Sequence, residues 1–270
     1  MRILAALLVL FFQDAKAPQF EVASIKPAAP EARGTRIRNT PGGRIEITNM
    51  PLKELIVFAW RIQPFQISGG PAWMGTERYD ISAKAESTPK EGELPLMLQG
   101  MLADRFQLKT HMETKELPIY ALVLSRKDGK LGPKLTESKD GGCTVPDRTQ
   151  PPSRPEAGQP PPRYCGQQMM SMRTMTAVSV PLSNIVPMLA RMMGRTVIDK
   201  TGLTGNYDIT LEWAPDESML PADVPKPSPG ETQGPSIFTA LQEQLGLKLE
   251  SQKGPVEILV IERAQKPSGN

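Results

Sequence analysis

The chain carries the same pattern of helix and strand signals twice. Pro51 and Leu52 open an apolar-periodic stretch in the first half, and Pro181 and Leu182 open a similar stretch 130 positions later. In both stretches apolar residues recur at i, i+3, i+4 and i+7, which predicts one buried face of a helix. A proline just before the first leucine suits a helix start, where its missing amide hydrogen is not needed. This duplication restricts a 270-residue chain to two lobes of similar fold.

Three further pairs of segments recur in the same order in the two halves. Each pair has the alternation of a strand, or the apolar period of a helix that runs into a strand. The pairs are 79–83 with 207–211, 101–109 with 241–248, and 118–124 with 255–261. Each half therefore predicts strand, helix, strand, strand, helix, strand, strand, and the first half adds a leading strand at 20–25. Helices beside small mixed sheets make up the α+β class.

Changes in composition divide the chain into lobes and connecting segments. The sequence predicts a first α+β lobe at 18–126 and a second at 173–270, joined by a linker at 127–172. Proline and glycine are dense in this linker, where missing amide donors and high chain entropy disfavour both helix and strand. A second Pro-rich stretch, at about 215–235, predicts an insert inside the second lobe.

Residues 1–17 have the features of a secretory signal. A basic start is followed by an apolar run at 3–12 and by a short segment that ends in Ala17. That run is too short to span a bilayer core of about 30 Å, and no later segment has 18 continuous apolar residues. We therefore expect export to the periplasm or the extracellular space, with no membrane span in the mature chain. A buried N-terminal helix is the alternative interpretation.

The two cysteines of the chain, Cys143 and Cys165, both lie in the predicted linker. In an oxidising compartment two cysteines most simply form one disulfide, which contributes about 3 kcal/mol in the chain-entropy model. A redox pair or a metal site is the competing interpretation, but the spacing is not C-x-x-C and no histidine lies nearby. The sequence thus predicts a disulfide that pins the linker.

Composition excludes several classes of function. His111 is the only histidine, which excludes sites built from several histidines. A net charge of +3 gives little attraction for nucleic acid, and an aromatic content of 5% is too low for a base- or sugar-stacking surface. The sequence predicts no cofactor, no metal ligand and no nucleic-acid partner.

Several segments of the chain resemble one bacterial family. They are FEVASIKP at 20–27, GGPAW at 69–73, YDI at 79–81, DRF at 104–106, VIDKTGLTG at 197–205 and EQLGL at 243–247. In identity and order they resemble a soil-associated family, a domain of unknown function expanded in soil bacteria. The resemblance covers nearly the whole predicted mature chain. It implies export and, in related domains, attachment to membrane sensor-peptidases of the antibiotic-resistance type, and it implies no catalytic residue.

Each half is also similar, more loosely, to the short N-terminal domain of secretins and TonB-dependent transporters. The similarity lies in the order of the elements and in the Pro-Leu helix start. That domain docks proteins in envelope machines, so the resemblance implies binding rather than catalysis. A shared fold does not by itself fix a function.

Two sets of residues imitate catalytic arrangements. Ser87 and Lys90 form an S-x-x-K, and Lys200 begins a K-T-G, as in penicillin-binding enzymes. A serine nucleophile of that type needs a helix N-terminus in a buried cleft, whereas a Ser/Thr/Pro/Gly loop is predicted here. Asp80 and Asp208 are the repeat-related carboxylates, and paired carboxylates can share acid–base work. Their place at a strand start favours hydrogen bonds to a neighbouring turn, so the sequence predicts no catalytic residue.

Three residues are candidates for binding. Trp73 lies in a predicted turn between strands, where its amphipathic ring either covers the edge of the core or contacts a ligand. Asp199 and Lys200 precede a Thr-Gly turn and form either an ion-paired turn or part of a binding site. His111 follows a strand beside Glu113 and is predicted to lie on a solvated strand face.

Methionines cluster in the second half of the chain. They are Met169, Met170, Met172, Met175, Met192 and Met193. A thioether cluster either binds Cu(I) or forms an adaptable apolar surface for a partner. Met188 and Met192 lie one helical turn apart, which favours core packing.

The sequence therefore predicts a secreted or periplasmic module, without enzymatic activity, that binds another envelope protein or a small ligand across its two lobes. The alternative is an envelope hydrolase that acts on peptide or cell-wall material. A hydrolase needs a concave pocket with a nucleophile or a carboxylate of shifted pKa. A binding module needs an exposed apolar patch of more than about a few hundred Å² on one sheet edge.

Overall fold

The computed structural model describes residues 18–40, 42–146, 162–214 and 234–267. The predicted signal at 1–17 lies outside these residues, as do most of the predicted insert and the middle of the predicted linker. The chain divides into two compact units, which are described separately. Unit 1 contains Met1–Glu113 and Ile258–Asn270, and unit 2 contains Thr114–Glu257.

The described residues form strands and helices of the α+β class, as the sequence predicts. The strands are β1 (Phe20–Pro27), β2 (Arg36–Thr40), β3 (Arg44–Pro51), β4 (Ile67–Gly69), β5 (Arg78–Ala85), β6 (Lys109–Leu124), β7 (Leu135–Glu137), β8 (Gln168–Met170), β9 (Thr174–Pro181), β10 (Val197–Asp199), β11 (Asn206–Glu212) and β12 (Leu247–Arg263). The helices are α1 (Leu52–Trp60), α2 (Trp73–Thr76), α3 (Glu93–Arg105), α4 (Val186–Met193) and α5 (Ile237–Ala240). Within the described stretches, no helix combines the length and the hydrophobicity needed to cross a bilayer.

Unit 1 is built on a four-stranded antiparallel sheet of order β1-β5-β3-β2. Side chains alternate along β3 and β5, so one face of the sheet is apolar and buried. Helices α1 and α3 contribute the rest of this core. Its largest fully buried side chains are Ile47, Leu52, Leu55, Ile56, Leu98, Leu102 and Phe106. Burial of a single such side chain contributes about 1.5–3 kcal/mol. The core therefore stabilises the packing of α1 and α3 on this sheet.

The two predicted helix starts differ in the structure. Helix α1 begins at Leu52 as predicted, directly after the extended Pro51. In the second half Leu182 begins a 3-10 turn, and regular helix α4 starts only at Val186. Pro187 stands in the first turn of α4, and its missing amide hydrogen prevents the bond that would continue a helix from Leu182.

Unit 2 contains a second four-stranded sheet, of order β7-β11-β9-β8. Alternate residues of β11 are buried, and the residues between them face away from the core. Helix α5 and a π-helical turn at Leu241–Leu245 contact β11. The short strands β7 and β8 lie within the stretch for which the sequence predicts a linker.

Two short strands pair in parallel with two long ones. In unit 1, β4 pairs with β12, and Leu259 lies opposite Ile67. In unit 2, β10 pairs with β6, and Val197 lies opposite Tyr120. The sequence predicts two successive strands where β6 and β12 each form one continuous strand of 16 and 17 residues. Both contain a proline, which a strand accepts where no ladder donor is needed.

Candidate binding surface

The outward face of the unit 2 sheet forms an open groove. Its volume is about 570 Å³, and we name it the Asp208 groove. Threonines of three strands contribute to its lining: Thr136, Thr176 and Thr210. The charged residues that line it are Lys134, Arg163, Asp208 and Glu212. Because the opposite face of β11 is buried, strand alternation presents Asp208, Thr210 and Glu212 to the groove.

Asp208 binds three donors from different parts of unit 2. Its Oδ1 accepts a hydrogen bond from the Ser138 hydroxyl at 3.0 Å and from the Ser179 backbone N–H at 2.9 Å. Its Oδ2 accepts one from the Arg163 guanidinium at 2.7 Å. Burial by itself raises the pKa of Asp208, but the bonds from Ser179, Arg163 and Ser138 together lower that pKa below its ordinary value. The Asp208 side chain is therefore an ionised carboxylate whose two oxygens both accept hydrogen bonds.

A disulfide holds Arg163 beside Asp208. Cys143 and Cys165 are bonded, which confirms the pairing predicted from the sequence. The backbone N–H of Thr144 donates to the Arg163 carbonyl at 2.8 Å, and the N–H of Cys165 donates to the Thr144 carbonyl at 2.9 Å. We call the pair of segments 143–146 and 162–165 the disulfide strap. It brings a cation from a Pro-rich stretch to a strand residue 45 positions away.

The other end of the groove is anchored by Gln244. Its side-chain amide accepts from the Glu212 N–H at 3.0 Å and donates to the Glu212 carbonyl at 2.7 Å. The Glu212 carboxylate pairs with Lys134 Nζ at 3.1 Å, and the Lys134 N–H donates to the Gln244 carbonyl at 2.8 Å. A Cβ at Gly132 would lie 2.3 Å from that carbonyl oxygen, so this approach requires glycine. Both ends of the groove are thus fixed by hydrogen bonds.

A hairpin with exposed methionines continues the groove on its β8 side. Met169 lies opposite Thr176 in the β8–β9 register, so the two side chains share a face. Met169, Met170 and Met172 are 62%, 57% and 51% exposed, whereas Met175 is buried. The Ser171 hydroxyl accepts from the Thr174 N–H at 3.0 Å and fixes the turn. The hairpin therefore presents adaptable apolar side chains from a defined backbone.

The groove offers hydroxyls and paired charges. Each of its carboxylates has a cation within 3.1 Å. Among the described residues, no group of three or more His, Cys, Asp or Glu is arranged to hold a metal ion. The surface is suited to hydrogen bonding with a polar ligand or a partner chain.

The predicted binding residues have local partners. Trp73 begins α2 and is half-buried against the unit 1 core. In unit 2, Asp199 Oδ1 accepts from the N–H and the hydroxyl of Thr201, at 2.9 and 2.7 Å. Lys200 Nζ lies 3.4 Å from Gln252 Oε1. Neither Asp199 nor Lys200 lines the Asp208 groove, and their role in binding stays a prediction.

The residues that imitate a catalytic serine site lie in a loop. Ser87 and Lys90 precede α3, which begins at Glu93. The Lys90 N–H donates to the Glu93 carboxylate at 2.8 Å. Ser87 lines an open groove of about 710 Å³ in unit 1, together with Glu21, Glu86 and Glu93. Lys200 belongs to unit 2.

Asp80 has a backbone partner in unit 1. It accepts from the Asn49 N–H at 2.8 Å. The bond matches the one between the Ser179 N–H and Asp208 in unit 2. Asn49 and Ser179 both have a positive φ, of 53° and 51°. Each aspartate thus accepts from a residue of the neighbouring strand, β3 or β9, and not from a neighbouring turn as the sequence predicts.

His111 lies on the exposed face of β6, as predicted. Its Nδ1 is 2.6 Å from Glu262 Oε1, and its Nε2 is 3.1 Å from Glu113 Oε1. These two hydrogen bonds, that of Glu113 first, raise the pKa of His111 above its ordinary value. Both ring nitrogens donate to carboxylates only in the protonated ring, so the two contacts favour the imidazolium form.

Comparisons with known proteins give one result. No curated protein and no solved structure matches the chain significantly. A family described as a protein of unknown function, DUF3738, matches residues 53–264. This match covers most of the chain and the whole four-stranded sheet of unit 2, whereas β1, β2 and β3 of the unit 1 sheet precede residue 53. The chain therefore belongs to the DUF3738 family.

Proposed function

We propose that the protein is an exported module that binds an envelope protein or a small polar ligand at the Asp208 groove and catalyses no reaction. The observation that carries this proposal is that both carboxylates of the groove are held in place by hydrogen bonds and ion pairs. Asp208 has three donors, and Glu212 is held by Lys134 and Gln244. Such a surface is ordered before a ligand arrives, which lowers the entropy cost of binding.

Export is supported by two independent features. Residues 1–17 have the composition of a secretory signal. The disulfide between Cys143 and Cys165 is of the kind that persists in oxidising compartments. The resemblance to an exported family of soil bacteria, and the looser one to the docking domain of secretins and TonB-dependent transporters, support an envelope or extracellular location.

A photo-crosslinking experiment tests the proposed surface. A benzophenone amino acid replaces Thr176, which lies in the groove, in protein exported by its own host. Thr48 serves as the matched control, because it is also an exposed threonine and lies on a central strand of the unit 1 sheet. We expect a discrete adduct from position 176 and not from position 48, and reversible binding of the identified partner to purified protein.

The competing hydrolase function is tested with the same purified chain. Incubation with cell-wall digests and with unstructured peptides, followed by mass spectrometry, detects any cleaved product. We expect no product above that of heat-inactivated protein. Cleavage that is lost in Ser87→Ala, together with equal crosslinking from positions 176 and 48, overturns the proposal and favours the hydrolase.

A further inference from the structure

The pairing of the short strands crosses the two halves of the sequence. In unit 1, β4 comes from the first half, but the strand beside it is the end of β12, at residues 259–261. In unit 2, β10 comes from the second half, and the strand beside it is the end of β6, at residues 120–122. The ends of β6 and β12 are the segments that resemble each other in sequence. Each unit is thus closed by the last strand of the other half.

Backbone bonds beyond these strands show the same reciprocity. The N–H of Gln265, after β12, donates to the Phe106 carbonyl at 2.7 Å in unit 1. The N–H of Ser125, after β6, donates to the Gly246 carbonyl at 2.8 Å in unit 2. Phe106 and Gly246 each directly follow a helical segment, α3 or the π-helical turn.

We infer that the chain is two copies of one module that exchange their last strands, and that a second copy of the chain can supply residues 258–267 to unit 1. The inference does not rest on the proposed function. The segment that the second copy would supply is the one that already pairs with β4 within each chain. The contacts that would recognise it are therefore already present in unit 1.

The site in unit 1 that receives residues 258–267 is specific. Leu259 and Ile261 are buried in the unit 1 core. A Cβ at Gly69 would lie 3.0 Å from the Ile261 carbonyl oxygen, and a Cβ at Gly70 would lie 3.2 Å from the Ile261 side chain. Lys266 pairs with Glu77 beyond the strand. These contacts join residues 67–77 and the unit 1 core to Leu259, Ile261 and Lys266 alone, so the same segment of another chain can make them.

The protein concentration decides whether residues 258–267 of the same chain or of another chain pair with β4. A strand on the same chain has an effective concentration in the order of millimolar. Exchange between chains therefore competes only during folding at a comparable protein concentration. It leaves a trapped dimer after dilution, because reversal requires the strand to be released from a folded core.

The test uses two full-length variants, Ser68→Cys and Val260→Cys. Ser68 and Val260 lie opposite each other in the β4–β12 register, and neither side chain is buried. The variants are mixed, unfolded with the native disulfide intact, refolded at about pH 6 to keep the new thiols protonated, and treated with a short thiol crosslinker. The double variant in one chain is the control for reach.

We expect a crosslinked heterodimer after refolding at about 1 mM, and at least tenfold less after refolding at about 10 μM. Wild-type protein refolded at the two concentrations should show the same trend in dimer content by light scattering. Crosslinking of the double variant without any heterodimer at 1 mM overturns the inference. So does a wild-type protein that is monomeric at both concentrations, or a dimer that carries no crosslink between 68 and 260.

Discussion

The two four-stranded sheets share a strand order but are locked in different ways. In each, a central strand carries an aspartate, Asp80 or Asp208, that accepts the N–H of a residue with positive φ on the neighbouring strand. In unit 1 that residue is Asn49, whose side-chain amide also donates to the carbonyls of Ala32 and Gly34, at 3.1 and 3.0 Å. In unit 2 it is Ser179, which has no side-chain amide.

In unit 2 a disulfide and an ion pair take the place of the missing side-chain amide. The disulfide strap carries Arg163 to Asp208, and Ser138 adds a third donor. The comparison indicates that one backbone arrangement can be secured either by a buried amide or by charges at the surface. The second solution leaves ordered charges on an open sheet face, and that is where the Asp208 groove lies.

Removal of the disulfide should have the largest effect. The double variant Cys143→Ser/Cys165→Ser opens a loop with a sequence separation of 22, which costs about 3 kcal/mol of the free energy of unfolding. The loss should be confined to unit 2. Amide hydrogen exchange measures this directly: the Gly166 and Thr144 amides should exchange faster, and the Asn49 amide in unit 1 should not change. Equal acceleration at all three amides would show that the disulfide does not act on unit 2 alone.

The amide lock of unit 1 is tested at Asn49. Asn49→Ala removes the two hydrogen bonds that this buried side-chain amide donates to the carbonyls of Ala32 and Gly34, which should cost about 2 kcal/mol by chemical denaturation. Ser179→Ala is the matched control, since it stands at the same place in unit 2 with a similar φ. Its cost should be below about 0.5 kcal/mol. Similar costs for the two variants would contradict the account of unit 1.

Much of this architecture is predictable from sequence, and the groove is not. The strands around Asp80 and Asp208 and the helix at Leu52 follow from alternation and helical period. Arg163 and Ser138 reach Asp208 from a stretch rich in proline and glycine, whose local pattern favours no element. The signals near them are the two cysteines: Cys143 follows Ser138 by five residues, and Cys165 follows Arg163 by two.

The partner of each last strand is also hidden from local patterns. An apolar β-branched segment packs equally well beside either half, so 118–124 and 255–261 predict strands without predicting which unit they enter. Long-range pairing is decided by the whole chain.

Replacement of Asp208 should cost more than replacement of Asp80. Asp208→Ala loses three hydrogen bonds, for about 2 kcal/mol, and Asp80→Ala loses the bond from Asn49, for about 1 kcal/mol. Because the pKa of Asp208 is lowered in the folded state, its stabilising effect is present above the unfolded pKa of about 3.9. It is lost as the pH falls through the folded pKa. The cost of Asp208→Ala, measured by denaturation from pH 7 to pH 3, should therefore shrink below about pH 4.

The smallest effect concerns His111 in unit 1, which has no histidine counterpart in unit 2. The raised pKa means that its stabilising contribution is present below the ordinary value of about 6.5 and is lost as the pH rises through the folded pKa. As the single histidine, it gives one imidazole Hε1 NMR signal in untagged protein. Its titration should lie above pH 6.5 and should move down in Glu113→Gln and Glu262→Gln. Glu116→Gln, a control of equal charge on the same strand, should leave it in place.

The central claim is that the face ordered by the disulfide strap is the one that binds. Its most direct test is amide hydrogen exchange of the full chain, alone and with the partner identified by crosslinking. We predict slower exchange in β9 and β11 on binding, with β3 and β5 unchanged, and no such protection in the Cys143→Ser/Cys165→Ser variant. Protection confined to the unit 1 sheet, or protection that survives loss of the disulfide unchanged, would contradict the account.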